Sequence, residues 1–413
     1  MESNEPRLDD LVDTAFGFEY LNEGAANIVF KIIPLQENNL DDLNFLKGRL
    51  LRVQKEGTKA YQYPELQEYW ENKIRPLFKK GELVDQCLVK ITSWAIVGKL
   101  NKELGDKRSQ RREEFRNHLV GYSPWAMLVE DMSNQGKDVC FAEFKPKWLA
   151  QSPNAPDDAL RCRTCARSAQ KLYKKRKRMG NTQPKDAACP RCPLALLHMH
   201  DKNTDHARAW LDDLARENRL DEGKKEQLWE WYRKNTLLPR LRAFQVHFDP
   251  VGPLLAHPSD RGYDFPLAMT LRDCSVFLRF SNDGPVVAKL ADLDRKNWDA
   301  KAKLWHQTEK DLLFFYRAGE DPPVETKCRL QTQPHPERAV VEKKVVEKDV
   351  IDLTGEEGTR KGVQHTDEAR IDERPAPVDV EDDAAAADLQ LRREKQAAEE
   401  KERARSLSGS EEA

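Results

Sequence analysis

The chain has 413 residues, a formal net charge of −2, 39% hydrophobic and 34% charged residues, and a mean hydropathy of −0.80. This length allows two lobes plus an extension, and the high polarity requires part of the chain to stay unfolded. Near-neutral charge argues against a globally basic nucleic-acid binder, and no apolar run approaches a membrane span.

The acidic start, Met1-Glu2-Ser3-Asn4-Glu5-Pro6, has no apolar signal core, so the expected location is nuclear or cytoplasmic, off the membrane, as a monomer. Residues 1–13 are expected to be flexible. Strands are expected over Phe16–Leu21, Asn27–Pro34 and Leu50–Val53, and a helix over Pro64–Phe78. Leu83–Ile96 reads as further strand, and Trp125–Val129 as a buried strand. Together, 14–129 form an N-terminal lobe, 130–137 a polar hinge and 138–325 a C-terminal lobe. In the latter, Leu214–Phe244 reads as mostly helical, with Trp229, Trp231, Leu237 and Leu241 in the core, and Asp299–Arg317 as another helix. Residues 330–413 contain no Trp, Phe or Tyr, so 326–413 reads as a disordered tail, with a lone helix possible over Ala384–Arg405.

The most informative pair is Asp273 and Asp292. Between them, Cys274–Phe280 and Pro285–Ala291 are β-prone runs joined by Ser281-Asn282-Asp283-Gly284, which reads as an antiparallel hairpin. Folding it returns both carboxylates to the open end. Phosphotransferases use such a layout: one aspartate orients and deprotonates an attacking hydroxyl, and the other holds a metal on ATP phosphates. Two aspartates capping strand ends are the plainer account.

Upstream, Gly24, Ala25, Ala26 and Asn27 form a small-residue turn whose backbone N–H groups can approach phosphates, although an ordinary hairpin turn would look the same. Arg52 puts a cation in the third strand. Lys145 and Lys147 lie on one side of an extended segment stiffened by Pro146, which suits either a polyanion or a solvated edge. Residues 161–178 hold nine cations and no acid. On a helix Arg163, Arg167 and Lys171 share a face, and Lys174 to Arg178 resembles a nuclear-import cluster.

Cys162 and Cys165 form one CxxC pair and Cys189 and Cys192 another, separated by 23 residues. Four thiolates at that spacing suit a structural Zn²⁺ site, with His198 or His200 as substitutes for one cysteine. Cys87, Cys140, Cys274 and Cys328 read as core or incidental residues. In the tail, Val350-Ile351-Asp352-Leu353-Thr354 before Gly355-Glu356-Glu357 resembles a SUMO-interacting motif, able to add a strand to a partner's sheet.

Taken in order, Glu23-Gly24-Ala25-Ala26-Asn27, Leu51-Arg52-Val53-Gln54-Lys55, Glu143-Phe144-Lys145-Pro146-Lys147, Cys192-Pro193-Leu194, Arg272-Asp273-Cys274-Ser275 and Lys289-Leu290-Ala291-Asp292-Leu293-Asp294 resemble the inositol-pentakisphosphate 2-kinases, in a fungal form. The resemblance covers roughly 14–320. It implies an α+β, two-lobed, protein-kinase-like fold that moves the γ-phosphate of ATP to the 2-hydroxyl of inositol pentakisphosphate. In those terms Gly24–Asn27 and Arg52 face ATP phosphates, and Glu130, Asp131 and Met132 hold the adenine. Asp273 activates the hydroxyl, Asp292 binds Mg²⁺, and Lys145, Lys147, Arg163, Arg167, Lys171 and Lys296 meet substrate phosphates.

The chain also departs from the family. An arginine, Arg167, stands where relatives carry a histidine between the flanking Arg and Lys. Arg242 is the nearest match to a double-asparagine segment, and the plant zinc motif has no counterpart. A zinc-containing nucleic-acid binder and a catalytically inactive kinase-like scaffold are the competing functional readings. Five phosphates give the substrate a charge of roughly −8 to −10, so many fixed cations are needed.

Overall fold

The computed structural model describes residues 16–34, 45–91, 93–132, 139–178, 191–197, 205–257, 264–282, 284–320 and 324–332. Cys189, His198, His200, hinge residues 133–137, the 350–354 segment and the expected 384–405 helix lie outside them.

Alternating apolar residues build the first sheet. Strands β1 (Phe16–Glu23), β2 (Asn27–Pro34), β3 (Arg49–Gln54), β4 (Gln86–Lys90) and β5 (Trp125–Glu130) run in the order β1-β2-β3-β5-β4, all antiparallel. Ile28, Phe30, Leu51, Val53 and Val89 point into one core. Helix α1 (Tyr63–Tyr69) continues through a π turn, Trp70–Ile74, and a 3₁₀ turn, Arg75–Leu77, so the helical stretch expected over Pro64–Phe78 is present with Pro76 near its end.

The expected strand over 83–96 is only half correct. After β4 the chain turns into helix α2 (Trp94–Asp106), where Ser93 Oγ accepts from Ala95 N. Ile96, Val97, Leu100 and Leu104 recur at helical spacing and are buried against the sheet, so the 3.6-residue period overrides the β-branched residues at 96 and 97.

The second sheet contains β6 (Cys140–Phe144), β7 (Ser275–Phe280) and β8 (Val287–Ala291), in that order and antiparallel. The expected hairpin is present as β7–β8, with Ser275 opposite Ala291. This register is one residue away from pairing Asp273 with Asp292; Asp292 lies past the strand end, nearer the level of Cys274.

Phe144, Val276, Leu278, Phe280 and Leu290 pack into a larger core with α4 (Asp205–Glu217), α5 (Glu222–Lys234), α6 (Leu237–His247) and α7 (Phe265–Leu271). Leu237 and Leu241 are fully in it, whereas Trp229 and Trp231 pack on it half-buried. Trp70, Ile74, Phe78 and Leu83 join this core although they lie in sequence between strands β3 and β4 of the first sheet. Two backbone bonds stitch that stretch to the hairpin: Val84 N donates to Leu290 O at 2.9 Å, and Leu290 N to Glu82 O at 2.8 Å.

The basic segment is helix α3 (Arg163–Arg178), and it packs on α8 (Trp298–Tyr316). Ala166 and Ala169 let the two helices approach, with Leu312, Phe315 and Tyr316 opposite. Beneath them, fully buried Glu309 accepts from Arg163 Nε, Ser152 Oγ and Tyr316 Oη, each at 2.6 Å. The mixed α+β class is therefore as expected, with eight α-helices among the described residues.

Glu309→Ala should leave Arg163 buried and uncompensated, costing about 3–5 kcal/mol. Chemical unfolding would measure the loss; a change below 1 kcal/mol would remove Glu309 from the set of structural anchors.

Candidate active site

The ladder of the second sheet brings the site together. Phe144 pairs with Val276 on β6–β7, and extending that register by three residues sets Lys147 opposite Asp273. Lys145 falls opposite Ser275, whose other neighbour is Ala291, next to Asp292. Lys145 Nζ donates to the Asp273 carbonyl at 2.9 Å and to Asp292 Oδ2 at 2.7 Å. Lys147 Nζ reaches Asp273 Oδ1 at 3.1 Å, and Lys296 Nζ reaches Oδ2 at 2.9 Å. The two aspartates and three lysines singled out from the sequence thus meet in one cluster.

Lys147 and Asp292 both have φ of 57°, the left-handed region that is unfavourable for residues with a Cβ. Gln245 on α6 holds the first of these bends. Its Nε2 donates to the carbonyls of Lys147 (2.9 Å) and Leu271 (3.0 Å), while its Oε1 accepts from Leu149 N at 2.9 Å. A buried glutamine bridging two segments of the cluster has no sequence signature, and Gln245 was not anticipated.

Charge at the site is lopsided. Burial alone would raise the Asp273 carboxyl, but the ammonium groups of Lys296, Lys147 and Lys145 outweigh it and hold the carboxyl well below the usual carboxylate range. A further cation, Lys301 on α8, lies close enough to Lys296 and the two aspartates to interact with them. Burial and the Lys296 charge pull it below an ordinary lysine. Asp273 and Asp292 have side chains 48% and 45% exposed. Pairs this open contribute little to stability. Four lysines around two half-open carboxylates are therefore better explained by an anionic ligand than by folding.

The neighbouring first sheet contributes Arg52. Its Nη1 donates to Asp294 Oδ1 at 2.9 Å and its Nη2 to Oδ2, a two-pronged clamp between β3 and the chain just after β8. Burial would raise Asp294, but Arg52 keeps it below its ordinary range. Beside this clamp the Gly24–Asn27 turn is tied down. Gly24 N donates to Asn27 O at 2.9 Å, Lys55 N to Ala26 O at 2.9 Å, and Tyr63 Oη to Asn27 Oδ1 at 2.9 Å. Buried Glu23 pairs with Lys55 (2.8 Å) and Arg111 (2.7 Å). A Cβ on Gly24 would meet nothing within 4 Å, so the surface above the turn is open. At the strand's far end Glu130 pairs with Lys289 of β8 at 2.6 Å, Asp131 N donates to Gly48 O at 2.8 Å, and Met132 is buried.

The α3 face divides. Arg163 is buried, paired with Glu309, and stacks on Trp148 at 4.0 Å, with Arg272 on the same ring at 3.6 Å. Arg167 is half-buried and donates to Gln170, and Lys171 is exposed. Arg242 is buried in α6.

Among the described residues, three of the four expected cysteines cluster with a cysteine from far along the chain. Cys162, Cys165, Cys192 and Cys328 are all buried, with their sulfurs within 4.8 Å of one another. Cys328, read from the sequence as core or incidental, is the fourth member among the described residues. Its distance along the chain, 136 residues from Cys192, hid it. Sulfur separations of 3.8 Å for Cys162–Cys192 and Cys192–Cys328 match the edge of a tetrahedron with bonds of ~2.3 Å, which is about 3.8 Å. Cys162 N donates to Cys328 Sγ at 3.1 Å, and hydrogen bonds from Cys162, Cys165 and Cys328 hold the Cys192 thiol well below its usual range. Four such sulfurs fit a closed zinc site.

Lysines converging on paired carboxylates, beside an open small-residue turn, are the kinds of groups that phosphotransferases use. Consistent with this, a sequence profile of the inositol-pentakisphosphate 2-kinase family matches residues 20–311. The chain belongs to that family. An inositol-pentakisphosphate 2-kinase of Yarrowia lipolytica is 34% identical over 173 residues, which are 41% of this chain and 51% of that relative. The chain thus spans about half the length of the curated relative it matches.

The Arg52–Asp294 clamp gives a pH-dependent outcome. Asp294's folded pKa lies below its unfolded value of about 3.9, so its pairing stabilises the fold above that pH. The contribution disappears as pH falls through the folded pKa. Arg52→Met should cost about 3 kcal/mol at pH 7 by leaving the carboxylate unpaired. The deficit should shrink by pH 4, where the orphaned carboxyl protonates; a constant deficit across this range in urea unfolding would contradict the assignment.

Proposed function

We propose that this protein is an ATP-dependent kinase that phosphorylates the 2-hydroxyl of inositol pentakisphosphate to give the hexakisphosphate, on a two-lobed protein-kinase-like fold. The convergence of Lys145, Lys147 and Lys296 on Asp273 and Asp292 carries the reading. Phosphoryl transfer asks little covalent work of a protein and much positioning and charge neutralisation, which this cluster supplies.

Asp273 receives the proton of the attacking hydroxyl. Its two oxygens are engaged by Lys147 and Lys296. Phosphates of the substrate draw those ammonium groups away, which frees the carboxylate and restores its basicity at the moment it is needed. Among the described residues Asp292 accepts at Oδ2 alone. Its second oxygen suits Mg²⁺, which uses one or two carboxylates together with substrate phosphates and water. When bound, that ion neutralises charge on the nucleotide's phosphates. The nucleotide lies along the Gly24–Asn27 turn, with Arg52 at its phosphates and Glu130–Met132 at its base. Lys171 and Arg167 extend the substrate wall, whereas Arg163 and Arg242 support it from below.

Incubation with Mg-ATP and inositol pentakisphosphate should yield the hexakisphosphate. Asp273→Asn and Asp292→Asn should each reduce kcat by about a thousandfold without altering the melting temperature. Turnover persisting in both variants would refute the roles given to them.

The cysteines hold a structural zinc ion in this reading. Metal analysis should find one zinc per chain. Cys328→Ser should lose it and Cys189→Ser should keep it; the reverse pattern would favour the set spaced along the sequence.

A further inference from the structure

Beside the Lys145–Lys147 segment lies a cavity of about 140 Å³ whose other walls take no part in the roles above. Its lining includes Lys145, Lys147, Thr164, Arg191, Pro193 and Trp210. Two of these residues are brought there by the cysteine cluster. Thr164 lies between Cys162 and Cys165, and Arg191 immediately precedes Cys192. The four buried sulfurs therefore fix the two segments against each other and against the lysines.

Arg191 is held from two directions. Its guanidinium stacks over Trp210 at 4.8 Å, and Nη2 donates to Glu217 Oε2 at 2.8 Å. Its Nη1 is nevertheless buried with no hydrogen-bond partner among the described residues, and so is Thr164 Oγ1. Buried donors without acceptors are uncommon and each calls for an explanation. At roughly 30 Å³ per water, the cavity has room for several waters or one phosphoryl group. Among the described residues its walls carry three cations and a hydroxyl and no carboxylate, so its chemistry selects an anion.

We propose that Arg191 and Thr164 form a phosphate subsite that positions the inositol polyphosphate next to Lys145 and Lys147. The proposal rests on the substrate reading given above. It makes both residues positioning groups for the substrate, remote from the nucleotide. A phosphate oxygen supplies the acceptor that Nη1 and Oγ1 lack, and the Glu217 and Trp210 contacts orient the guanidinium in advance.

The test uses full-length wild type, Arg191→Met, Arg191→Lys and Thr164→Val. Calorimetry with inositol pentakisphosphate, and separately with inorganic phosphate, is paired with steady-state kinetics. Arg191→Met should raise Kd and KM for the pentakisphosphate about tenfold or more, Arg191→Lys and Thr164→Val less, with KM for ATP unchanged. If Arg191→Met does not fold, Arg191→Lys carries the comparison. Unaltered pentakisphosphate affinity in a folded Arg191 variant overturns the subsite. An effect confined to inorganic phosphate assigns the cavity to a separate anion and overturns it too. A wild type that binds pentakisphosphate through Arg191 without phosphorylating it would sink the catalytic reading and leave the subsite standing.

Discussion

The β6–β7–β8 ladder is the constraint on which the site depends. Every second residue of these strands is committed to the core: Phe144 on β6, Val276, Leu278 and Phe280 on β7, and Leu290 on β8. A one-residue slip would carry those side chains to the opposite face. The same slip would move Lys147 away from Asp273 and Lys145 away from Asp292. Packing of apolar side chains therefore sets the positions of the charged ones, and the site needs no separate scaffold. What the ladder does not fix is the pair of left-handed residues just past its ends, and Gln245 secures one of them.

Ionic groups fall into two populations with different physical roles. Glu309, Glu23 and Asp249 are buried with their arginine partners, and each is satisfied from several sides. Removing one partner of such a set leaves a bare charge in low dielectric. The lysines at the strand ends face solvent more freely, so their pairings are weak and exchangeable. Charges that can change partners suit the capture and release of a polyanion, as the proposed reaction would require. Arg52 and Asp294 stand between the two groups, close to the site yet clamped.

Much of this was legible in the residue order because it rests on local rules. The hairpin follows from two alternating runs around Asn282-Asp283-Gly284, and Lys145 and Lys147 share a side because strands repeat every two residues. The register, with Ser275 opposite Ala291, is less legible, since turn sequences limit it only loosely. Helix α2 was equally readable from Ser93 and the spacing of Ile96, Val97, Leu100 and Leu104, but β-branched residues concealed it. Long-range partners left no trace: Arg163 with Glu309, Arg52 with Asp294, Gln245 with two backbones. Spacing also left Cys328 out of the cluster, because proximity along the chain says nothing about a residue returning from 136 positions away.

Cys328 alters where the folded unit ends. Composition suggests that structure stops near residue 325, yet Cys328 and Leu330 pack with Cys162, Cys165, Cys192 and Leu194. Arg161, wholly enclosed, donates to the carbonyls of Phe315 and Val324 and pairs with Glu320. This strap is a layer laid over the base of α3. A protease nick or premature stop a few codons upstream would thus do more than trim a tail: it would unfasten the floor beneath the basic helix.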